Sequence, residues 1–210
     1  MFLISLEGID GCGKSTQIRE MKNYLHDHGY EVQVFREPGG TAISEKIREL
    51  LLNSSDDIDP VTETLLFSAA RAQLVNTRIR PLLKAGTIVI LDRFFDSTTA
   101  YQGYGRQAID ADQLEKLNQL ATGGLAPDIT FYLKLDVKVA MERRAEERAM
   151  DRMERSGLEF FQRVSQGFDN IASRYQRFVT LDASLPAGKI FESIARELHD
   201  RLSISAHDNR

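Results

Sequence analysis

The chain is poor in cysteine, in surplus positive charge and in long apolar runs, and each shortage closes off a class of protein. Its single cysteine, Cys12, has no partner for an internal disulfide, and no cysteine and histidine grouping has the spacing of a zinc site. A reducing cytoplasm is the compartment this predicts. The 27 Lys and Arg stand against 31 Asp and Glu, a formal net charge of −4. A general nucleic-acid surface needs a basic field, so no nucleic-acid partner is expected, and any anionic ligand must be held by local charge. The first apolar run, residues 2–6, has no basic leader and meets Glu7 too early for a signal peptide or a membrane span. The chain is therefore expected to be soluble and unprocessed, with no membrane partner. It also lacks internal repeats, linkers and the Asn-Lys-x-Asp run of guanine-specific switches.

What is present is ordinary for a compact domain: 210 residues, 42% hydrophobic and 28% charged, predict a single domain over residues 1–210. Short apolar runs at 2–6, 31–36, 87–91, 129–135 and 178–182 read as buried strands. Longer amphipathic stretches predict helices that begin at Lys14 and near Thr41, Pro60, Asp112, Lys138, Leu158 and Ala187. Gly29 and Gly86 are the expected helix stops, and residues 203–210 read as a frayed tail. The alternation predicts an α/β fold, a three-layer sandwich with a central parallel five-stranded sheet flanked by helices. Ligands of such a sheet bind beyond the carboxyl ends of the strands.

The run Gly8-Ile9-Asp10-Gly11-Cys12-Gly13-Lys14-Ser15, followed by Thr16, stands where the first strand gives way to the first helix. Its glycines let backbone N–H groups turn inward onto phosphate oxygens, Lys14 reaches the β and γ phosphates, and Ser15 offers a hydroxyl to Mg²⁺. This is a P-loop, so the sandwich is expected to be P-loop NTPase-like, with ATP and Mg²⁺ as ligands. Asp92 ends the strand-like run 87–91 and is the candidate second metal residue, although a strand-terminal Asp also serves as a cap or turn residue. A phosphate acceptor needs its own cationic clamp, and Arg36 and Arg93 each follow a strand and should project into the crevice; surface ion pairs are the bland alternative. Cys12 reads as a small filler, although nearby amides and Lys14 would lower its pKa if it were exposed to them.

Three further segments, Phe35-Arg36-Glu37-Pro38-Gly39-Gly40, Asp92-Arg93-Phe94 and Ser97-Thr98-Thr99-Ala100-Tyr101-Gln102-Gly103, resemble the thymidylate kinase family. Phe67-Ser68-Ala69-Ala70-Arg71 and Asp151-Arg152-Met153-Glu154 extend the resemblance from Leu6 to about Asp182. The resemblance implies transfer of the γ-phosphoryl group of ATP to dTMP in dTTP synthesis, catalysed by positioning and charge neutralisation. It implies Phe67 stacking on thymine, Arg71 donating to a ring carbonyl, Gln102 meeting the ring's amide edge, and Tyr101 packing where a ribose 2′-hydroxyl would go. Glu37, Ser97 and Thr98 fall in the same acceptor segments, and Asp10 resembles the carboxylate that accepts from the sugar 3′-hydroxyl. It also implies a homodimer through helices packed across a twofold axis.

The run 143–152 carries four arginines, a pattern usual for a solvated helix face. In the bacterial-type family this stretch is a helical lid, here about 143–155, that supplies transition-state charge. The usual Arg-Gly pair before Asp151 is missing, so the catalytic lid role is open between Arg148 and Arg152, with Arg143 placed against adenine. A P-loop kinase for another pyrimidine nucleotide, or an ATP-dependent switch without turnover, are the competing readings.

Overall fold

The computed structural model describes residues 2–54, 57–145, 152–153 and 156–207. Five strands, β1 (Phe2–Glu7), β2 (Val32–Arg36), β3 (Ile88–Asp92), β4 (Ile129–Lys134) and β5 (Phe178–Asp182), form one sheet in the order β2-β3-β1-β4-β5. Every neighbouring pair is parallel. Helices α1 (Lys14–Asp27), α2 (Ala42–Asn53), α3 (Pro60–Leu74) and α4 (Arg80–Lys84) precede β3 or flank it, and α5 (Phe95–Thr98) and α6 (Ala111–Thr122) follow it. Helices α7 (Val137–Ala145), α8 (Leu158–Arg174) and α9 (Ala187–His207) surround the last two strands.

The inner strands β1, β3 and β4 are buried along nearly their whole length, whereas the edge strands β2 and β5 are only partly covered. That is why the inner three read as continuous apolar runs: helices cover both of their faces. Alternation still sorts the side chains. Phe2, Ile4, Leu6, Ile88 and Ile90 share a core with Ile18, Met21 and Leu25 of α1 and Ile194 and Leu198 of α9. Leu3, Val89 and Leu91 face the other way, toward Leu74, Val75 and Ile79. Each fully buried Leu, Ile or Phe contributes about 1.5–3 kcal/mol relative to exposure.

Local signals set the helix starts. Thr41 accepts from Ser44 N, Asp59 accepts from Val61 N and Thr62 N ahead of Pro60, and Asp110 accepts from Asp112 N and Gln113 N. Three features depart from the sequence-based expectation. Helices α4 and α5 are additional, and π-helical stretches at Val75–Ile79 and Thr99–Gly105 continue α3 and α5. An extra residue per turn leaves no mark in a 3.6-residue pattern, so these are invisible to periodicity. Helix α9 runs on to His207, through much of the stretch read as a frayed tail.

A largely buried ion pair helps fix the short α5 to the sheet. Arg177, just before β5, donates Nη1 to Asp96 Oδ2 and Nη2 to Asp96 Oδ1, both at 2.7 Å, and Nη1 also to Thr130 Oγ1 at 2.5 Å. Thr130 in turn shares a 2.8 Å hydrogen bond with Ser5 of β1. Replacing Asp96 with Ala strands the guanidinium in this setting, and the expected loss of stability is about 3–5 kcal/mol in urea unfolding at neutral pH. A loss below about 1 kcal/mol, the value of a surface pair, would show that the anchor is dispensable.

Candidate active site

Strand β1 delivers the chain to Gly8, and the loop closes at Gly13 before Lys14 starts α1. Two glycines are required by close approach. A Cβ on Gly8, at φ 138°, would lie 2.6 Å from the Leu133 carbonyl oxygen, and one on Gly11, at φ 82°, 2.4 Å from that of Ala140. The contact with α7 leaves no room for a side chain at position 11. Lys14 is buried, with Nζ donating to the carbonyls of Gly8 at 3.1 Å and Ile9 at 3.2 Å and standing 3.8 Å from Asp10. Cys12 is buried as well, and burial pushes its thiol up despite Lys14, so the lowered pKa considered from sequence is not found.

Asp92 ends β3 beside this loop, and the next residue turns sharply: Arg93 has φ 70°, in the left-handed region that a residue with a Cβ seldom adopts and that costs backbone strain. The turn sends its guanidinium over the phosphate loop. Nη2 donates to Asp10 Oδ1 at 2.8 Å and to the Tyr101 hydroxyl at 3.1 Å, while Nη1 donates to Ser97 Oγ at 3.0 Å. Burial works to raise Asp10, but Arg93 and Lys14 outweigh it and hold the carboxyl well below the usual carboxylate range, with Arg144 adding to the effect. Asp10 nevertheless keeps 38% of its side chain exposed, so it remains reachable by a ligand. Arg36 borders the same concavity as Arg93, Ser15, Thr16 and Asp92, with most of its side chain exposed and Nη2 donating to Glu45 at 3.2 Å.

From Arg93 a second cavity runs away from the loop, lined by Ser97, Thr98, Tyr101 and Gln102 on one wall and by Phe67 and Arg71 of α3 on another. Arg71 is 2% exposed; its Nε donates to Glu37 Oε2 at 2.6 Å, and its guanidinium carbon lies 5.6 Å from the Phe94 ring centre. Its Nη1 and the opposing Glu37 Oε1 are buried without a hydrogen-bond partner among the described residues. Leu52 and Met153 close the cavity with apolar surface.

The comparisons with known proteins give the family. The sequence model of the thymidylate kinase family matches residues 6–194. The chain belongs to the thymidylate kinase family. Thymidylate kinase of Chlorobium luteolum is 50% identical over 209 residues, covering 95% of this chain and 97% of that protein. That of Pelodictyon phaeoclathratiforme is 51% identical, covering 95% and 96%. The crystal structure of thymidylate kinase from Ehrlichia chaffeensis superposes with a TM-score of 0.78 at 34% identity, over 94% of this chain and 98% of that one.

Within the family's lid stretch, Arg148 lies outside the described residues. Arg152 bonds not the phosphate loop but Glu63, through Nη2, and the Leu51 carbonyl, through Nε at 2.9 Å, next to Leu52 and Met153 in the wall of the second cavity. Arg143 is exposed and reaches the Ala183 carbonyl at 3.4 Å. Sequence reading passed over Arg144, which is buried on the wall of the phosphate concavity one turn beyond Ala140. Its signal was there, because Ala140 and Arg144 share a helix face, yet four arginines in ten residues hid which one turns inward.

Glu7, also unremarked from sequence, supports the Arg93 turn. Its Oε1 accepts from Phe94 N at 2.8 Å and its Oε2 from Ser97 Oγ at 2.5 Å. Burial, and next the charge of Asp96, push its carboxyl up from 4.5 to about 8, against the pull of Ser97 and Arg93. The folded protein thus keeps a proton that the unfolded chain has released, so stability falls as pH rises from about 5 to 8 and levels off above. Glu7→Gln should remove this dependence, gaining on the parent across that window by at most about 1.4 kcal/mol per pH unit. Urea unfolding of both proteins near pH 5 and pH 8 checks it, and parallel stability profiles would contradict it.

Proposed function

We propose that this protein transfers the γ-phosphoryl group of ATP to the phosphate of dTMP, giving ADP and dTDP, a step of dTTP synthesis. The observation that carries the reading is a pair of cavities that share Asp10 and Arg93 in their walls, one at the phosphate loop and one lined by Arg71, whose buried Nη1 has no hydrogen-bond partner among the described residues. A buried guanidinium N–H with no acceptor among the described residues calls for a ligand carbonyl, which thymine supplies. Phe67 offers a ring face to the base, Gln102 its amide, and Tyr101 fills the space beside the sugar, where a 2′-hydroxyl is disfavoured. Asp10, held anionic by Arg93 and Lys14, accepts from the 3′-hydroxyl. Glu37 holds Arg71, and Ser97 and Thr98 line the approach to the acceptor phosphate.

Arg93 and Arg36 bind the acceptor phosphate so that one of its ionised oxygens faces the γ phosphorus in line. Such an oxygen needs no general base, so positioning and charge neutralisation supply the catalysis. Residues Gly8 to Thr16 hold the ATP phosphates through the loop N–H groups, with Lys14 on the β and γ oxygens. The residues fit Mg²⁺: Asp92 Oδ1 is buried without a partner among the described residues, and Ser15 shares its concavity. Ser15 and Asp92 would hold the ion, whose charge when bound offsets that of the phosphates. Residues 143–155 are assigned the lid role, most of them outside the described residues; Arg143 is assigned to the adenine side, and Arg144 is the arginine among the described lid residues that borders the phosphate concavity.

We further place the enzyme in the cytoplasm as a homodimer through α3 and α6. These helices pack together and leave Val61, Leu65 and Leu120 exposed by 42%, 51% and 79%. Among the described residues no helix is long and apolar enough to cross a membrane.

ADP release with Mg²⁺ and ATP across dTMP, dUMP, dCMP, dAMP, UMP and thymidine tests the reaction. The expected result is dTMP as best acceptor, with Lys14→Ala lowering kcat by on the order of 100-fold or more. Arg71→Leu should raise KM for dTMP about tenfold or more, the loss of a charge-assisted hydrogen bond. Folded protein that binds ATP and turns over none of the panel would overturn the assignment.

A further inference from the structure

Glu63 sits on α3 behind the wall of the acceptor cavity, fully buried, and touches no part of the cavity itself. Its carboxylate collects three donors: Gln102 Nε2 at 3.0 Å and Arg106 Nε at 3.3 Å on Oε1, and Arg152 Nη2 on Oε2. We propose that Glu63 sets base selectivity by fixing which way round the Gln102 amide faces the acceptor, making it a positioning residue for the pyrimidine. This rests on the reading of Gln102 as the residue that meets the base.

The argument is one of donors and acceptors. A primary amide is a two-way reader, because turning it over exchanges its oxygen and nitrogen at almost no steric cost. Thymine presents a carbonyl and an N3–H on its Watson–Crick edge; cytosine presents an amino group and an N3 lone pair there. One orientation of Gln102 therefore suits thymine, with Oε1 accepting from N3–H and Nε2 donating to a carbonyl. The opposite orientation suits cytosine equally well. Glu63 removes that freedom: a carboxylate paired with two guanidinium groups only accepts, so the nitrogen of Gln102 must face it. Turned over, the amide would set its oxygen against a buried carboxylate, two acceptors with no proton between them. The fixed orientation leaves Oε1 on the side where thymine has its N–H and cytosine its lone pair. Gln102 is itself 1% exposed, so water cannot relieve the wrong pairing.

The surrounding bonds explain why the device sits on Glu63. Arg152 and Arg106 bring the lid stretch and the end of the π-helical segment to the same carboxylate, so its own position is over-determined. Arg106 is further seated on the Phe160 ring at 4.6 Å.

The test compares kcat/KM for dTMP and for dCMP in the wild type, Glu63→Gln, Glu63→Asp and Gln102→Leu, each assayed well below its own melting temperature. Glu63→Gln gives Gln102 a neighbour that donates as readily as it accepts. The preference for dTMP over dCMP is expected to fall about tenfold or more, largely through better use of dCMP. Glu63→Asp, which still only accepts, is expected to keep most of the preference even if both rates drop. If Gln102→Leu shifts the preference while Glu63→Gln slows both substrates by the same factor, Glu63 is merely structural and the proposal is overturned, with the base contact intact. If Gln102→Leu leaves the preference unchanged, the reading of Gln102 at the base fails and the proposal with it. Should Glu63→Gln not fold, the Glu63→Gln/Arg106→Gln pair removes one charge of each sign and is read by the same ratio.

Discussion

The ion pair between Asp10 and Arg93 joins the two halves of this site. Its partners come from adjacent parallel strands: Asp10 from the loop after β1, Arg93 from the residue after β3. The ladder between those strands runs on by one bond, Arg93 N to Leu6 O at 3.0 Å, before the chain swings into its left-handed turn. The sheet thereby fixes the distance between the phosphate loop and the arm that carries the acceptor residues. Ser97, Tyr101 and Gln102 all follow that turn, so the geometry of one strained residue propagates through the acceptor wall. Glu7, Ser97 and Tyr101 hold it from three sides, which is how a backbone conformation that a side chain ordinarily avoids is maintained.

Around this pair the protein places further buried or half-buried cations, each aimed by a carboxylate on a different element. Glu37 after β2 aims Arg71, Glu63 on α3 gathers Arg106 and Arg152, and Asp96 on α5 takes Arg177. Buried ion pairs are poor stabilisers compared with apolar residues of the same volume, because desolvation offsets most of the attraction. Their value here is directional. A guanidinium gripped on one edge presents its other edge at a fixed angle, as Arg71 does with an Nη1 that has no hydrogen-bond partner among the described residues, and a carboxylate gripped by two arginines imposes its acceptor character on the amide beside it. The anionic substrates of a kinase and the edge of a neutral base are both read this way, by a chain whose net charge is negative.

Much of this was legible in the sequence because it is local. Strand runs are apolar where both faces are covered, and β5 falls on the predicted residues without adjustment, while β1, β2 and β4 differ by one residue at one end and β3 is shifted by one residue. The phosphate loop is contiguous, so Gly8 to Ser15 declares itself, and the family resemblance rests on segments whose spacing survives as written. What could not be read is what depends on contacts distant in the chain. Glu7 and Glu63 are ordinary acidic letters until the fold sets them 90 and 39 residues from the side chains they hold. Nothing local marks Arg71 as buried, yet it is among the most buried side chains. Arg152 sits next to Met153 in a motif that marks the lid, yet its guanidinium belongs to the acceptor end, because Glu63 is there to receive it. The π-helical stretch at Thr99–Gly105, which lines the acceptor wall, has no periodic signature at all.

The coupling of Asp10 to Arg93 is the most direct test of the account. Calorimetric titration of dTMP into the wild type, Asp10→Asn, Arg93→Lys and the double variant gives the interaction energy from a closed cycle. If the pair works as one unit, the double variant should lose far less affinity than the two single losses combined, by about 1 kcal/mol or more. Losses that simply add would mean that the phosphate loop and the acceptor arm act independently, and the central role given to this pair would be wrong.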